Sequence, residues 1–206
     1  MKVMLINGSP NAKGCTYTAL SQVGEGLLEC GVETALFHIG AEPVRGCVGC
    51  GQCVNSQMCV FDDVVNRALE EAQSADGFVI GSPVYFASAN GALCAFLDRL
   101  FYSGKQYFAY KPGACVVSAR RAGTTAALER LEKYLSISSM PIVSSHYWPM
   151  VHGNLPEEAA QDLEGMQVMR ALGRNMAWLL KCIEAGANAG IHPPEQEPRL
   201  RTNFIR

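Results

Sequence analysis

Short runs of apolar residues alternate with longer amphipathic runs along most of this chain. Val3–Asn7, Glu33–Ile39, Gly77–Gly81, Ala114–Ser118 and Ile142–Tyr147 are short, fairly apolar and bounded by Gly, Pro or Ser. They read as buried parallel strands. Between them, Leu20, Val23 and Leu27 share a helix face, as do Val65, Ala68, Leu69 and Ala72, and then Leu128, Leu131 and Leu135. The longest stripe, Leu163, Met166, Met169, Leu172, Met176, Leu179 and Ile183, predicts a C-terminal helix of several turns. Pro156-Glu157-Glu158 suits its first turn, where proline fits and acids meet the positive helix end. Strict alternation of this kind predicts an α/β three-layer sandwich around a five-stranded parallel sheet, order 2-1-3-4-5. Residues 1–185 form one domain on this reading. Residues 186–206, with three prolines and Arg199, Arg201 and Arg206, form an extended tail.

Composition narrows the function. The 206 residues are 49% apolar and 17% charged, enough for a sizeable core in one domain. The net charge is −2 and no basic block occurs, which sets nucleic-acid binding aside. No run is long and apolar enough to span a bilayer, so no membrane partner is expected. Met1–Ile6 is too short for a signal peptide and reads as a strand, so the expected location is cytoplasmic.

Ligands of such folds sit beyond the carboxyl ends of the strands. The first strand runs into Asn7-Gly8-Ser9-Pro10-Asn11-Ala12-Lys13-Gly14-Cys15-Thr16-Tyr17-Thr18, followed by a helix. Gly8 and Gly14 allow tight turns, and the first helical amides point outward without internal partners. With the positive helix end they make an anion site, to which Ser9, Thr16 and Thr18 add hydroxyls. The loop matches neither the Walker A pattern nor the three-glycine dinucleotide pattern. One lysine among hydroxyls suits a monophosphate; an ordinary well-capped turn is the plainer alternative.

The third strand ends in Ser82-Pro83-Val84-Tyr85-Phe86-Ala87-Ser88-Ala89-Asn90-Gly91, where a flat cofactor can lie against the aromatic pair. The fourth ends in Ser118-Ala119-Arg120-Arg121-Ala122-Gly123-Thr124, whose amides and arginines suit the polar edge of a reduced ring. A core aromatic pair and a solvated arginine pair are the alternatives.

These stretches, with Leu97-Asp98-Arg99, resemble the NADPH-dependent FMN reductase family of the flavodoxin superfamily over most of the first 125 residues. The resemblance implies a flavodoxin-like fold, FMN as cofactor and a flavin-dependent oxidoreductase using NAD(P)H as a possible donor. Carried over, Ser9, Cys15, Thr16 and Thr18 would bind phosphate, and Pro83, Val84, Tyr85, Phe86 and Asn90 would line the ring. Ser118, Arg120 and Gly123 would meet its polar edge. Ser-Ala-Arg-Arg stands where many relatives carry a glycine-rich loop, a departure that bears on Arg120 and Arg121. Relatives form dimers or tetramers, so a homodimer or homotetramer is implied.

Four of the nine cysteines, Cys47, Cys50, Cys53 and Cys59, fall within thirteen residues after the second strand. A cytosolic chain keeps such thiols reduced or ligated. The spacing C-x2-C-x2-C-x5-C approaches that of ferredoxins, with a longer last step and Val60 in place of proline. Iron–sulfur ligation, free redox-active thiols and zinc all remain open. The spacing resembles the iron–sulfur flavoprotein branch of the same family, which implies a 4Fe-4S cluster on these four cysteines near the FMN, and ferredoxin as a partner. Without a cluster, NAD(P)H-dependent FMN or quinone reduction is expected. A flavodoxin-like electron carrier and a zinc or thiol sensor are the other readings. Cys94 and Cys115 read as core. His146 and His152 have no sequence partner for catalysis, and Tyr147-Trp148 reads either as a cover for the flavin or as packing. Asp98-Arg99 reads as a structural ion pair or cap.

Overall fold

Four of the five apolar runs form strands of one sheet whose two faces are both covered. The computed structural model describes residues 1–198 together with 200, 202 and 204. In chain order the elements are β1 (Lys2–Asn7), α1 (Cys15–Glu29), β2 (Glu33–His38), α2 (Cys53–Ser56), α3 (Val64–Gln73), β3 (Gly77–Tyr85), β4 (Ser88–Ala89), α4 (Gly91–Ser103), α5 (Lys105–Phe108), β5 (Gly113–Ala119), α6 (Thr124–Ile137), β6 (Met150–His152), α7 (Pro156–Gln161) and α8 (Leu163–Asn188). The sheet order is β2-β1-β3-β5-β6, all parallel, with β4 paired antiparallel to the end of β3. The five parallel strands thus follow the expected 2-1-3-4-5 order, and the two-residue β4 is a sixth strand.

Strand β1 shows why these runs are continuously apolar. Val3 and Leu5 pack toward α1 and α8, whereas Met4 and Ile6 pack toward α3, α4 and α6. Period-two alternation distributes one strand between two cores, so neither set can be polar.

The edge strand differs from expectation. Ile142–Tyr147 is not a continuous strand. Gly113 Nα donates to the carbonyl of Pro141, Val143 returns a bond to Gly113, and Ile142 forms an isolated bridge there. Residues 144–149 then leave the sheet, and pairing resumes with Val117 donating to the carbonyl of Pro149 and with β6 beyond it. A proline without an amide is tolerated where an edge strand begins. The excursion carries the edge-to-face pair Tyr147–Trp148, with centroids 5.0 Å apart.

The predicted C-terminal helix is two helices. Asp162 interrupts the run: its Oδ1 accepts from Gly165 Nα at 2.9 Å and caps α8, while its Oδ2 accepts from His152 Nα of β6 at 2.8 Å. Leu163, at the stripe's start, is exposed, whereas Met166, Met169, Leu172 and Met176 are buried. Helix α8 runs to Asn188, and residues 191–198 adopt no regular secondary structure. Arg199, Arg201 and Arg206 of the expected tail lie outside the described residues.

Helices α1 and α8 cross so closely that backbone meets backbone. A Cβ on Gly26 would sit 2.3 Å from the Arg170 carbonyl oxygen, and one on Gly173 would sit 2.2 Å from that of Val23. Arg174–Glu29, at 2.7 Å, and Arg170–Gln22 tie the flanks of the crossing. Gly173→Ala is therefore expected to destabilise the protein by about 1–3 kcal/mol through overpacking. Gly186→Ala on the same helix, whose nearest neighbour would lie 3.8 Å away, is expected to be neutral or stabilising by up to about 1 kcal/mol. Urea unfolding midpoints of the two variants check the contrast.

Candidate functional site

The β1–α1 loop is shaped from within. Asn7, fully buried at the end of β1, accepts from Ser9 Nα at 3.0 Å and donates through Nδ2 to the Ala12 carbonyl at 3.1 Å. Ser9 Oγ accepts from Asn11 Nα, and the His38 ring holds the Ser9 carbonyl at 2.7 Å. Gly8 Nα donates to the Gly81 carbonyl, which locks the loop to β3; a Cβ at Gly8 would lie 2.5 Å from Leu93.

This loop delivers the chain to α1 without a cap. Gly14 occupies the N-cap position and offers no side chain. The amides of Cys15, Thr16 and Tyr17 find no acceptor among the described residues. Three other helices do receive a side-chain cap: Asp63 serves α3, Asn90 serves α4 and Asp162 serves α8. Helix α6 likewise starts on a bare glycine, Gly123 at φ 93°. Two positive helix ends are thus left open at the carboxyl end of the sheet, where an anion or a polar ring edge is stabilised.

A groove of about 710 Å³ runs over the start of α1. Ser9, Cys15 and Thr16 border it from the first loop, Pro83, Val84 and Tyr85 from β3, and Ser118 and Arg120 from the end of β5. Thr16 and Ser118 share a buried hydroxyl–hydroxyl bond of 2.8 Å, so the first and third loops meet directly. The Cys15 thiol donates toward the Gly153 carbonyl at 3.6 Å; burial raises its pKa against the opposing pull of its own backbone amide, with Glu158 and Glu157 adding to the rise. The remaining expected residues stand apart from the lining. The Thr18 hydroxyl turns back to the Gly14 carbonyl, at 3.5 Å. The Asn90 side chain is buried and accepts from Ala92 and Leu93 amides. Phe86 is fully exposed at the left-handed β3–β4 turn, and a Cβ on Gly123 would strike Ala87 at 2.7 Å.

Residues 153–156, from the end of β6 to the first residue of α7, form a wall that sequence reasoning missed. With the fifth strand set at 142–147, that segment had no reason to approach the groove. Glu158 fixes it by accepting from the Asn154 and Leu155 amides at 2.7 and 3.2 Å. Tyr147, Trp148 and His146 border a different groove.

The four clustered cysteines border one small cavity of about 20 Å³, together with Phe61, Arg99 and Tyr102. Gly49 and Gly51 adopt φ of 65° and 73°, reversing the loop between thiols. Cys53 opens the one-turn helix α2. Among the described residues no three His, Cys, Asp or Glu side chains converge into a metal-binding group. The donor chemistry nonetheless suits thiophilic metal: four sulfurs share one cavity, and a buried guanidinium donates to one of them, Arg99 Nε to Cys59 Sγ at 3.2 Å. Arg99 also pairs with Asp63 through two bonds of 2.7 and 2.9 Å. The ion pair expected from Asp98-Arg99 is therefore made by Arg99 with Asp63, and Asp98 instead accepts from Tyr134 at 2.5 Å.

The parallel sheet, the open helix ends and the groove belong to a flavin-dependent oxidoreductase of flavodoxin-like fold. The chain belongs to the NADPH-dependent FMN reductase family, whose match covers residues 1–154. An iron-sulfur flavoprotein of Methanocaldococcus jannaschii is 30% identical over 192 residues, covering 89% of this chain and 100% of the relative. An iron-sulfur flavoprotein of Methanosarcina thermophila is 28% identical over 190 residues, covering 89% and 97%. Among solved structures, RosB with a bound riboflavin-phosphate intermediate superposes with a TM-score of 0.69 at 14% identity, over 100% of this chain and 92% of RosB. A WrbA-like flavodoxin of Agrobacterium tumefaciens gives 0.63 at 15% identity, over 88% and 97%. No helix among the described residues is long and apolar enough to cross a membrane.

Burial alone would raise the Asp63 pKa, but the Arg99 hydrogen bonds and the Val65 amide hold it below its ordinary 3.8. A carboxylate depressed in the folded state stabilises the fold above its unfolded pKa, and that increment is lost as pH falls through the folded value. Asp63→Asn is accordingly expected to unfold at lower urea concentration than wild type at pH 7. The gap should hold down to about pH 5 and shrink below about pH 4. Urea midpoints across that range check it.

Proposed function

We propose that this chain binds FMN in the groove over α1 and exchanges single electrons between it and a 4Fe-4S cluster ligated by Cys47, Cys50, Cys53 and Cys59. The observation that carries the cluster is that all four spaced thiols border one cavity, with a guanidinium N–H directed at a fourth-ligand sulfur. The names of the two archaeal relatives support the same reading.

The amides of Cys15, Thr16 and Tyr17 and the hydroxyls of Ser9 and Thr16 would hold the phosphate. Pro83, Val84 and Tyr85 supply a flat wall for the ring, and Arg120 supplies positive charge at the rim. When bound, FMN accepts a hydride or single electrons and the cluster carries one electron at a time. The protein contributes position and the positive end of α1. Small-molecule redox partners follow from the family; NAD(P)H as donor and ferredoxin as partner belong to this proposal, as does a homo-oligomer.

Anaerobic purification followed by iron, sulfide and flavin analysis tests the reading. About four irons and one FMN per chain are expected. Flavin without iron favours cluster-free NAD(P)H-dependent reduction of flavins or quinones, a reading consistent with thiols that do not converge. Zinc without flavin overturns both.

Gly14→Asp tests the phosphate site by opposing effects. The N-cap backbone is extended, with φ −83° and ψ −171°, as a capping aspartate requires. Its carboxylate would satisfy the open amides, and is expected to stabilise the apoprotein by about 0.5–1 kcal/mol. The same charge would repel phosphate and weaken FMN binding at least about tenfold, while leaving riboflavin binding nearly unchanged. Flavin fluorescence titration and urea unfolding measure the two effects.

A further inference from the structure

Cys59 is held differently from the other three clustered cysteines. Its amide donates to Asn66 Oδ1 at 2.8 Å, and its carbonyl accepts from Asn66 Nδ2 at 3.0 Å, so its backbone is clamped to α3. Its sulfur accepts from Arg99 Nε at 3.2 Å. Arg99 is a buried cation on α4, with 1% of its side chain exposed. Its guanidinium spends the remaining donors on Asp63, the Phe61 carbonyl at 3.3 Å and the Arg45 carbonyl at 3.2 Å. Every one of these acceptors lies in the segment that carries or flanks the cysteines. The other three cysteines lie on the glycine-bearing loop and on one-turn α2, where the sole hydrogen bond to sulfur among the described residues is the Gly49 amide to Cys47 at 3.5 Å.

A salt bridge to Asp63 alone would not need this arrangement. A guanidinium is a planar fork, and here one edge serves the carboxylate while Nε–H is left for sulfur. Hydrogen bonds to cysteinyl sulfur and nearby positive charge are among the factors that set iron–sulfur potentials. Reduction by one electron adds one negative charge to the cluster and breaks no bond, so a donor aimed at a ligand sulfur favours the reduced form.

We propose that Arg99 is a positioning residue for the iron–sulfur centre: its Nε–H···S bond fixes the Cys59 sulfur and raises the cluster's reduction potential. The inference rests on the cluster reading above. Burial by itself would lower the Arg99 pKa, but bonds to Asp63 and Cys59 raise it, so the donor stays charged at all working pH values.

The test uses anaerobically purified holoprotein, with Arg99→Lys and Arg99→Gln compared with wild type. Lysine keeps a charge for Asp63 but cannot supply the second edge of the fork; glutamine removes the charge. Dithionite titration with mediators, followed by electron paramagnetic resonance, reads the cluster, and visible absorbance reads the flavin. Both variants are expected to keep iron and flavin. At a fixed potential the reduced-to-oxidised cluster ratio should fall about tenfold, which for one electron is about 59 mV. The flavin potential should stay unchanged. Unchanged cluster potentials in both variants overturn the proposal. Wild-type potential in Arg99→Lys with a shift only in Arg99→Gln overturns the N–H···S bond and leaves charge alone. Loss of iron from both variants, with flavin retained, assigns Arg99 to assembly and overturns its effect on potential. Wild-type protein without iron sinks the cluster reading itself, an outcome seen before any variant is made.

Discussion

The first turn of α1 is the constraint around which the ligand side of this protein is organised. Three amides at its positive end have no acceptor among the described residues, while α3, α4 and α8 each receive a side-chain cap. A polar group left open costs little where water or an anion reaches it and much where neither does. The surrounding residues keep that end accessible and correctly aimed. Asn7 shapes the loop from inside, Gly8 binds it to β3, and the Thr16–Ser118 hydroxyl pair brings the third loop alongside. The groove exists because these contacts hold the backbone while its donors stay unspent.

The cysteine segment is built on a different logic. Around the groove over α1 the geometry is made by backbone and by short polar side chains. Around Cys59 it is made by a single buried arginine reaching from α4 and by an asparagine from α3. Cys59 is anchored to α3 and α4, Cys47 and Cys50 sit on a loop that bends at glycine, and Cys53 opens α2. The two sites share no lining residue, so each can be altered without rebuilding the other.

Most of the fold was readable because burial on both faces leaves an unmistakable apolar run, as in β1 with Val3 and Leu5 on one side and Met4 and Ile6 on the other. The edge strand was misread because one-sided burial relaxes that demand. Pairing at 141–143 and at 150–152 is interrupted by six residues whose apolar character serves a separate groove. The missed wall at 153–156 follows from that displacement. The first loop was legible from glycine and hydroxyl spacing. Asn90 was not, since a helix cap and a ring contact draw on the same residue type. Arg99 pairs with Asp63, thirty-six positions away, a partner that no local pattern identifies.

Asp162 joins two parts of the molecule that the chain order keeps separate. One of its oxygens seats the start of the longest helix, and the other holds the last strand, immediately before the segment that walls the groove. A single carboxylate therefore ties the start of α8 to the end of β6. Loss of that carboxylate would uncap the helix and free the His152 amide together.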